Sequence, residues 1–397
     1  MKVLVTDGCN RAALAITRSL GKAGFDVFVG SEELPCLASA SKYCRKSFLY
    51  PSPYDDPRLF SKRIRELTES EKPDVLLPVS ESTTLMIMAE KENLEEFCSI
   101  PFSSYNSVNR AASKYEVIEL ARKLDIPTPE TVFLESPHDD DALSRFNETR
   151  NFPVVLKPSR SRTMDMAGWR FAEVKYATDY SELETIIDHF APETYPILLQ
   201  ERIYGPGVGI FVCFNQGEMI AAFSHERIRE KPPSGGVSVL RESVPVNPLL
   251  KTQSEKLLKE LGWRGVAMVE FKKDNRAGDY KLMEINGRFW GSLQLAIDAG
   301  VDFPLLSTKV ALGENIQPVE SYKIGVKTRW FWGDLDALLS LLIKSADQLK
   351  LPEGFPGRLK YFYDFCKFWG KDLNYEILKK DDIKPWFLET RRRFLGK

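Results

Sequence analysis

The segment from Val266 to Gly291, VAMVEFKKDNRAGDYKLMEINGRFWG, constrains this chain more than any other. Two strand-like runs, Val266 to Lys272 and Tyr280 to Ile285, flank a polar turn from Asp274 to Asp279 that contains Gly278, a pattern that predicts a β-hairpin. With the turn centred near Ala277, Glu270 and Glu284 fall opposite one another, and the two-residue period of a strand puts Asn286 on the face of Glu284. Like charges directly opposite across strands destabilise a sheet. Two carboxylates and an amide converging on one face therefore make sense around a cation, and an all-oxygen ligand set suits Mg²⁺, with Mn²⁺ as an alternative. The competing reading is an exposed hairpin with solvated acids, which fits poorly with strands that are otherwise apolar.

A chain of 397 residues exceeds one ordinary domain and predicts two or three. Its net charge of -1 gives no general attraction to nucleic acid or anionic membrane, and the basic run Arg391, Arg392, Arg393 reads as a solvated helix face. The six cysteines, Cys9, Cys36, Cys44, Cys98, Cys213 and Cys366, form no CxxC pair and no zinc spacing. The opening MKVLVTDG reads as a charged strand without a signal-peptide core, so a cytoplasmic protein with reduced thiols is expected. The apolar stretch Leu338 to Ile343 is far shorter than the roughly 20 residues a membrane span needs.

Strand patterns at Lys2 to Thr6, Asp26 to Val29 and Val75 to Val79 alternate with helical ones at Arg11 to Lys22, Leu59 to Glu69 and Ser82 to Ala89. This order predicts a small doubly wound, parallel α/β domain over residues 1–106. Its first strand-to-helix turn, TDGCNRAALA, has the single Gly8 where a dinucleotide fingerprint needs three glycines, which disfavours an NAD(P) oxidoreductase. The next helix, Asn109 to Leu124, ends at DIPTPET, where Pro127 and Pro129 force an extended chain. Beyond it a strand at Pro153 to Lys157, a helix at Ser181 to Phe190, a strand at Ile197 to Ile203 and a hairpin from Gly209 to His225 predict an antiparallel α+β unit within residues 107–318, its smaller part about 127–203. From about Ser321 the pattern turns helical and aromatic, so residues 319–397 read as a helical cap or partner-contact region.

Four signals occur in one order: SKYEVIELARKLDIPTPET, FPVVLKPSRSR, ILLQERIYGPGVGI, and MVEF with KLMEINGRFWGS. Together they resemble the ATP-grasp superfamily, which includes biotin carboxylase, carbamoyl-phosphate synthetase and D-alanine:D-alanine ligase, over about residues 1–310. The resemblance implies a Rossmann-like domain followed by two lobes gripping ATP, with metal ions bridging the phosphates. Lys157 ends a buried-looking strand, where an ammonium needs an anionic partner to offset its desolvation. By similarity Lys157 contacts the α- and β-phosphates and Lys114 supplies a second charge. Ser159, Arg160, Ser161 and Arg162 follow where relatives carry a glycine-rich flap, so hydroxyls and guanidinium groups would replace backbone amides, and Ser159 and Ser161 are candidate phosphate donors. Gln200, Glu201, Arg202 and Ile203 match the adenine-binding hinge, with Glu201 as acceptor from the amino group. Relatives place a ribose-binding acid shortly after; here Val208 and Gly209 stand there. Glu270, Glu284 and Asn286 would hold the metal, and Arg288, two residues past Asn286, would bring a positive charge to the transferring phosphate.

The stretch SHERIREKPPSGGVSVLRES places His225, Arg227, Arg229 and Arg241 around a turn-rich PPSGG loop. By comparison with the superfamily, Arg241 would approach the carboxylate substrate and His225 is a possible helper, although a lone histidine at a strand end is more often structural. The implied activity is an ATP-dependent, ADP-forming ligase that activates a small-molecule carboxylate as an acyl phosphate for attack by an amine. The alternatives are a carboxylase-like enzyme acting on bicarbonate and a nucleotide-binding protein without turnover. Homo-oligomers are left open.

Overall fold

A computed structural model describes residues 1–149, 152–160, 162–165, 168–171, 173–233, 235–349, 351 and 355–395. The chain begins with four parallel strands, β1 (Lys2–Val5), β2 (Asp26–Ser31), β3 (Cys44–Leu49) and β4 (Val75–Leu77), in the order β3-β2-β1-β4. Val3, Leu4, Val5, Val27 and Val29 are all buried, as expected of a parallel sheet covered on both faces. In the first strand-to-helix turn, Asp7 takes a left-handed φ of 57°. Its carboxylate accepts from the Thr83 hydroxyl at 2.7 Å and the Ser80 N–H at 3.1 Å, so the turn spends its acid on the strand-end backbone. Asn10 then caps the helix Arg11–Lys22 by accepting from the Ala12 N–H.

A second, smaller sheet follows. Strands β5 (Thr131–Leu134), β6 (Val154–Pro158), β9 (Lys175–Ala177) and β10 (Ile197–Glu201) pair antiparallel in the order β5-β10-β6-β9, while β7 (Arg162–Asp165) and β8 (Gly168–Phe171) form a separate hairpin. The helices Asp140–Thr149 and Tyr180–Asp188 bury Phe146, Leu183 and Ile187 against Leu134, Leu156, Ile197 and Leu199, a core distinct from that of the rest of the chain.

The third sheet has seven strands: β11 (Gly207–Asn215), β12 (Glu218–Lys231), β13 (Val237–Val244), β14 (Gly265–Lys273), β15 (Tyr280–Asn286), β16 (Lys327–Arg329) and β17 (Leu373–Tyr375), ordered β15-β14-β11-β12-β13-β16-β17. Its aromatic core packs Phe211 tilted against Trp290 at 4.5 Å and Trp290 edge-to-face with Phe303 at 4.9 Å. Burying such rings contributes roughly 1.5–3 kcal/mol each.

The C-terminal stretch departs from its helical pattern. Besides the helices Phe331–Ile343, Arg358–Phe365 and Lys384–Leu395, it supplies β16 and β17, two three-residue strands that extend the large sheet beyond β13. It also returns to the helix Arg11–Lys22: the buried Arg18 donates to Asp382 at 2.8 Å and to the Ile377 carbonyl at 2.8 Å, and Arg11 pairs with Glu376 at 2.6 Å. The tail therefore locks the first helix to the end of the large sheet. Among the described residues no helix is long and apolar enough to cross a membrane.

Candidate active site

The hairpin forms in the register its sequence predicts: Glu270 on β14 pairs with Glu284 on β15 and Met268 with Asn286, with a bulge after Glu270. Asp274 and Gly278 close the turn, the Gly278 N–H donating to the Asp274 carbonyl at 2.7 Å. Glu284 Oε1 accepts from Asn286 Nδ2 at 3.0 Å, and Asn286 Oδ1 accepts from Arg288 Nη2 at 3.2 Å. Lys114 Nζ stands 3.8 Å from Glu284 Oε2. Arg227, on β12, reaches Glu270 Oε2 at 3.0 Å. It does so across β11, where glycines occupy the positions opposite: Gly207 and Gly209 pair with Lys272 and Glu270. A Cβ at Gly207 would sit 3.6 Å from Glu270 Oε1 and 3.8 Å from Arg227 Nη1. Gly207 and Gly209 thus leave a corridor through which Arg227 meets the hairpin.

The two acids are electrostatically unlike. Burial pushes Glu270 up and Glu284 pushes it further, against the opposing charge of Arg227. Burial also pushes Glu284 up, but Lys114, the Asn286 amide, Lys157 and Arg288 outweigh it and hold this carboxyl below its ordinary value.

The small sheet supplies the facing cation. Lys157, on β6, donates to Gln200 Oε1 at 2.7 Å, and Gln200 Nε2 donates to Thr131 Oγ1 at 3.0 Å, so a buried amide fixes the ammonium across the strands. Burial pushes Lys157 down to about 8, with Lys114 and Lys272 adding repulsion and Glu284 and Glu270 opposing it. The same two carboxylates therefore act on Lys157, Lys114, Arg288 and Arg227. Ser159 serves as a latch: its N–H donates to the Pro196 carbonyl, its carbonyl accepts from the Lys114 N–H at 2.8 Å, and its hydroxyl lies 3.0 Å from that of Ser113. Its hydroxyl is thus engaged with the helix Lys114–Lys123. Ser161 lies outside the described residues, as does Ser234 of the PPSGG loop.

At the end of β10, Glu201 Oε1 accepts from the Glu130 N–H at 3.0 Å while Oε2 lies 3.7 Å from the exposed Arg276. Ile203 is buried and its carbonyl accepts from Lys272 Nζ at 2.9 Å. Arg202 lies over the rings of Tyr176 and Tyr204, 5.4 and 4.9 Å from their centroids. Lys272 was not among the residues singled out from the sequence, yet its spacing of two from Glu270 signals the shared face. The β7–β8 hairpin docks on the segment between β3 and β4: Trp169 Nε1 donates to the Pro53 carbonyl at 2.8 Å and Arg162 bonds the Tyr54 hydroxyl.

Two expected substrate contacts are placed differently. His225 is buried, stacked on Phe211 at 4.7 Å, with Nε2 2.8 Å from Ser292 Oγ. Burial, with Arg241 and Arg227 nearby, holds it well below its ordinary pKa, so it is neutral. Arg241 is wholly buried, donating to the Ser238 carbonyl and lying 2.7 Å from Glu376 Oε1. That contact is not aligned as a hydrogen bond and is electrostatic. Arg229 is likewise pinned, donating to Asp334 at 2.7 Å.

All donors at the hairpin are oxygen, and they project from paired strands opposite a set of fixed cations; this set fits a hard divalent ion between the acids and a polyanion. Among the described residues no group of three or more His, Cys, Asp or Glu side chains gathers as a metal site, so the amide of Asn286 is the third donor available.

Residues 193–331 match the model of a family described as ATP-grasp in the biosynthetic pathway with Ter operon. The solved biotin carboxylase of Campylobacter jejuni, with bound β-γ-ATP, shares the fold at a TM-score of 0.65 and 15% identity, covering 82% of this chain and 74% of that one. The chain thus shares the ATP-grasp fold. Another ATP-grasp structure, N5-carboxyaminoimidazole synthetase from Staphylococcus aureus, aligns over 100% of this chain and 97% of its own at a TM-score of 0.64 and 16% identity. Among curated proteins, the D-aspartate ligase of Enterococcus faecium is 21% identical over 56% of this chain and 54% of its own. The N-terminal section of the carbamoyl phosphate synthase large chain from Methanopyrus kandleri is 23% identical over 78% and 54%. The chain therefore spans about half the length of the curated ATP-grasp relatives it matches.

Proposed function

We propose that this ATP-grasp protein is an ADP-forming ligase that activates a small-molecule carboxylate as an acyl phosphate and passes it to an amine. The observation that carries the reading is the opposed pair Glu270 and Glu284, held between the cations of both sheets. In the proposed mechanism Lys157, oriented by Gln200, and Lys114, held by the Ser159 latch, take the phosphates. Glu201 and the hinge backbone through Ile203 receive the adenine edge, with Arg202 beside them. Glu270, Glu284 and Asn286 would hold Mg²⁺, which when bound neutralises phosphate oxygens. Arg288 offsets charge that develops on the transferring phosphoryl group. A carboxylate oxygen attacks the γ-phosphorus and the bond to the bridging oxygen breaks, releasing ADP. The amine nitrogen then attacks the acyl carbon, the carbon–oxygen bond to phosphate breaks, phosphate leaves, and the nitrogen loses a proton to solvent. Such chemistry needs positioning and charge neutralisation more than a nucleophile.

The test is ADP release by the full chain with ATP and Mg²⁺ over amino acids, dipeptides and sugar acids, with hydroxylamine present to trap acyl phosphate as a hydroxamate. Acid-dependent ADP release with matching hydroxamate is expected. Release stimulated by bicarbonate alone would move the assignment to a carboxylase, and binding of ATP without release under any acid would leave a nucleotide-binding protein.

A further inference from the structure

A cavity of about 790 Å³ opens between the ends of β12 and β13, the strand β16 and the C-terminal helix Arg358–Phe365. That volume suits a small molecule. Arg227 forms part of its wall, so the cavity adjoins Glu270. Among its described charged lining residues, cations outnumber carboxylates six to two.

Some of its buried polar atoms lack hydrogen-bond partners. Arg229 and Arg329 share the carboxylate of Asp334, and Arg329 Nη1 donates to the Lys367 carbonyl at 3.5 Å. Arg329 is 1% exposed; its Nε is 2.6 Å from Asp334 without hydrogen-bond alignment, and neither Nε nor Nη2 finds an acceptor among the described residues. The rings of Phe365 and Phe368 flank its guanidinium at 4.3 and 5.3 Å, and the Tyr375 hydroxyl, which donates to the Phe368 carbonyl, also bonds the guanidinium. Tyr361, 3% exposed, carries a buried hydroxyl with no partner, and Arg229 lies over its ring at 5.5 Å. Both Tyr361 and Arg329 line the cavity. Buried donors without acceptors are costly.

We propose that this cavity receives the far end of an acid substrate bearing a second anionic group, a carboxylate or a phosphate, which accepts from the Tyr361 hydroxyl and from Arg329. The inference rests on the ligase reading, with the reacting carboxylate placed at the Arg227 end beside the hairpin acids. It gives the C-terminal segment a role: β16 and the helix Arg358–Phe365 select the acid.

Calorimetric titration of the full chain with butyrate, succinate and O-phospho-L-serine, in the presence of ATP and Mg²⁺, tests the cavity. At least one dianion is expected to bind roughly tenfold or more tighter than butyrate, the scale of hydrogen bonds to a charged group. Succinate and O-phospho-L-serine distinguish a distal carboxylate from a distal phosphate. Tyr361→Phe, which removes one oxygen without altering shape, should lower the dianion-to-butyrate ratio about fivefold or more; Arg329→Gln should lower it further where that variant folds. Equal binding of all three acids, no binding of either dianion, or an unchanged ratio in Tyr361→Phe would each overturn the inference. The ligase reading is judged separately by hydroxamate formation: a dianion that binds preferentially but yields no hydroxamate with any acid would sink that reading and leave an anion-binding cavity.

Discussion

Glu284, on the large sheet, and Glu376, just past its last strand, both sit among cations, but one is partly exposed and the other is sealed. Glu284 has Lys114 3.8 Å away and keeps 35% of its side-chain exposure; Glu376 takes Arg11 at 2.6 Å and Arg241 at 2.7 Å and keeps 2%. At the partly exposed pair, water or a phosphate can replace a partner at little cost, so the charges can be re-paired by a ligand. In the sealed network, removing a partner strands a buried ion. Ion pairing alone therefore does not mark a site; access to the pair does.

The largest effect is expected where the network is sealed. Glu376→Ala leaves Arg11 and Arg241 without their shared carboxylate and should lower stability by about 3–5 kcal/mol, measured by urea unfolding. An unaltered midpoint would show that the network is not structural. Glu284→Ala should do the reverse, leaving the midpoint nearly in place while ADP release falls roughly 10²-fold or more, the scale on which transition-state charge stabilisation is lost. Glu284→Gln should behave alike, because it keeps the shape and loses the charge. ADP release at the unaltered rate in either variant would remove the hairpin from the mechanism.

The open half of this comparison was legible in the sequence and the sealed half was not. A strand's two-residue period and one polar turn suffice to oppose Glu270 and Glu284, and a lysine ending an apolar strand announces Lys157. Arg227 and Arg241 look alike in a loop-flanking run, yet one reaches a partly exposed acid and the other a buried one. That outcome depends on strand pairings and on Glu376, far along the chain. β16 and β17, at three residues each, are too short for any periodicity to show. Ser159 reads as a phosphate donor from its place after Lys157, and only the packing of the helix Lys114–Lys123 reveals the latch.

Lys157→Ala sharpens the comparison at the next level down. It should weaken ATP binding by about 1.5–3 kcal/mol, read as a smaller ATP-induced rise in melting temperature. The protonation of Lys157 adds a pH signature. Its folded value of about 8 lies below the ordinary 10.5, so between these the unfolded chain holds the extra proton. The destabilisation from this group is full below pH 8 and is relieved as pH rises from about 8 to 10.5. ATP needs the ammonium, so affinity should fall as pH rises from 7 to 9, with proton uptake on binding above pH 8. Lys157→Met should flatten that profile; a profile that persists belongs to another group.

The smallest effects test the glycine corridor. A methyl at Gly207 meets Glu270 and Arg227 at ordinary van der Waals distances, 3.6 and 3.8 Å, whereas one at Gly209 lands 2.8 Å from the Phe211 ring and 3.1 Å from Met268. Phe211 is fully buried between His225 and Trp290 and has little room to yield. Gly209→Ala should therefore cost about 1–3 kcal/mol by overpacking, and Gly207→Ala about 0.5 kcal/mol or less. The informative result is the activity of Gly207→Ala. If the Arg227–Glu270 contact only needs the corridor open, a methyl that touches both ends without displacing either should leave ADP release within a few-fold of the unaltered protein. A loss comparable to that of Glu284→Ala, at unchanged stability, would mean that the space over Gly207 is itself occupied during the reaction, and that the cleft extends across β11 to Arg227.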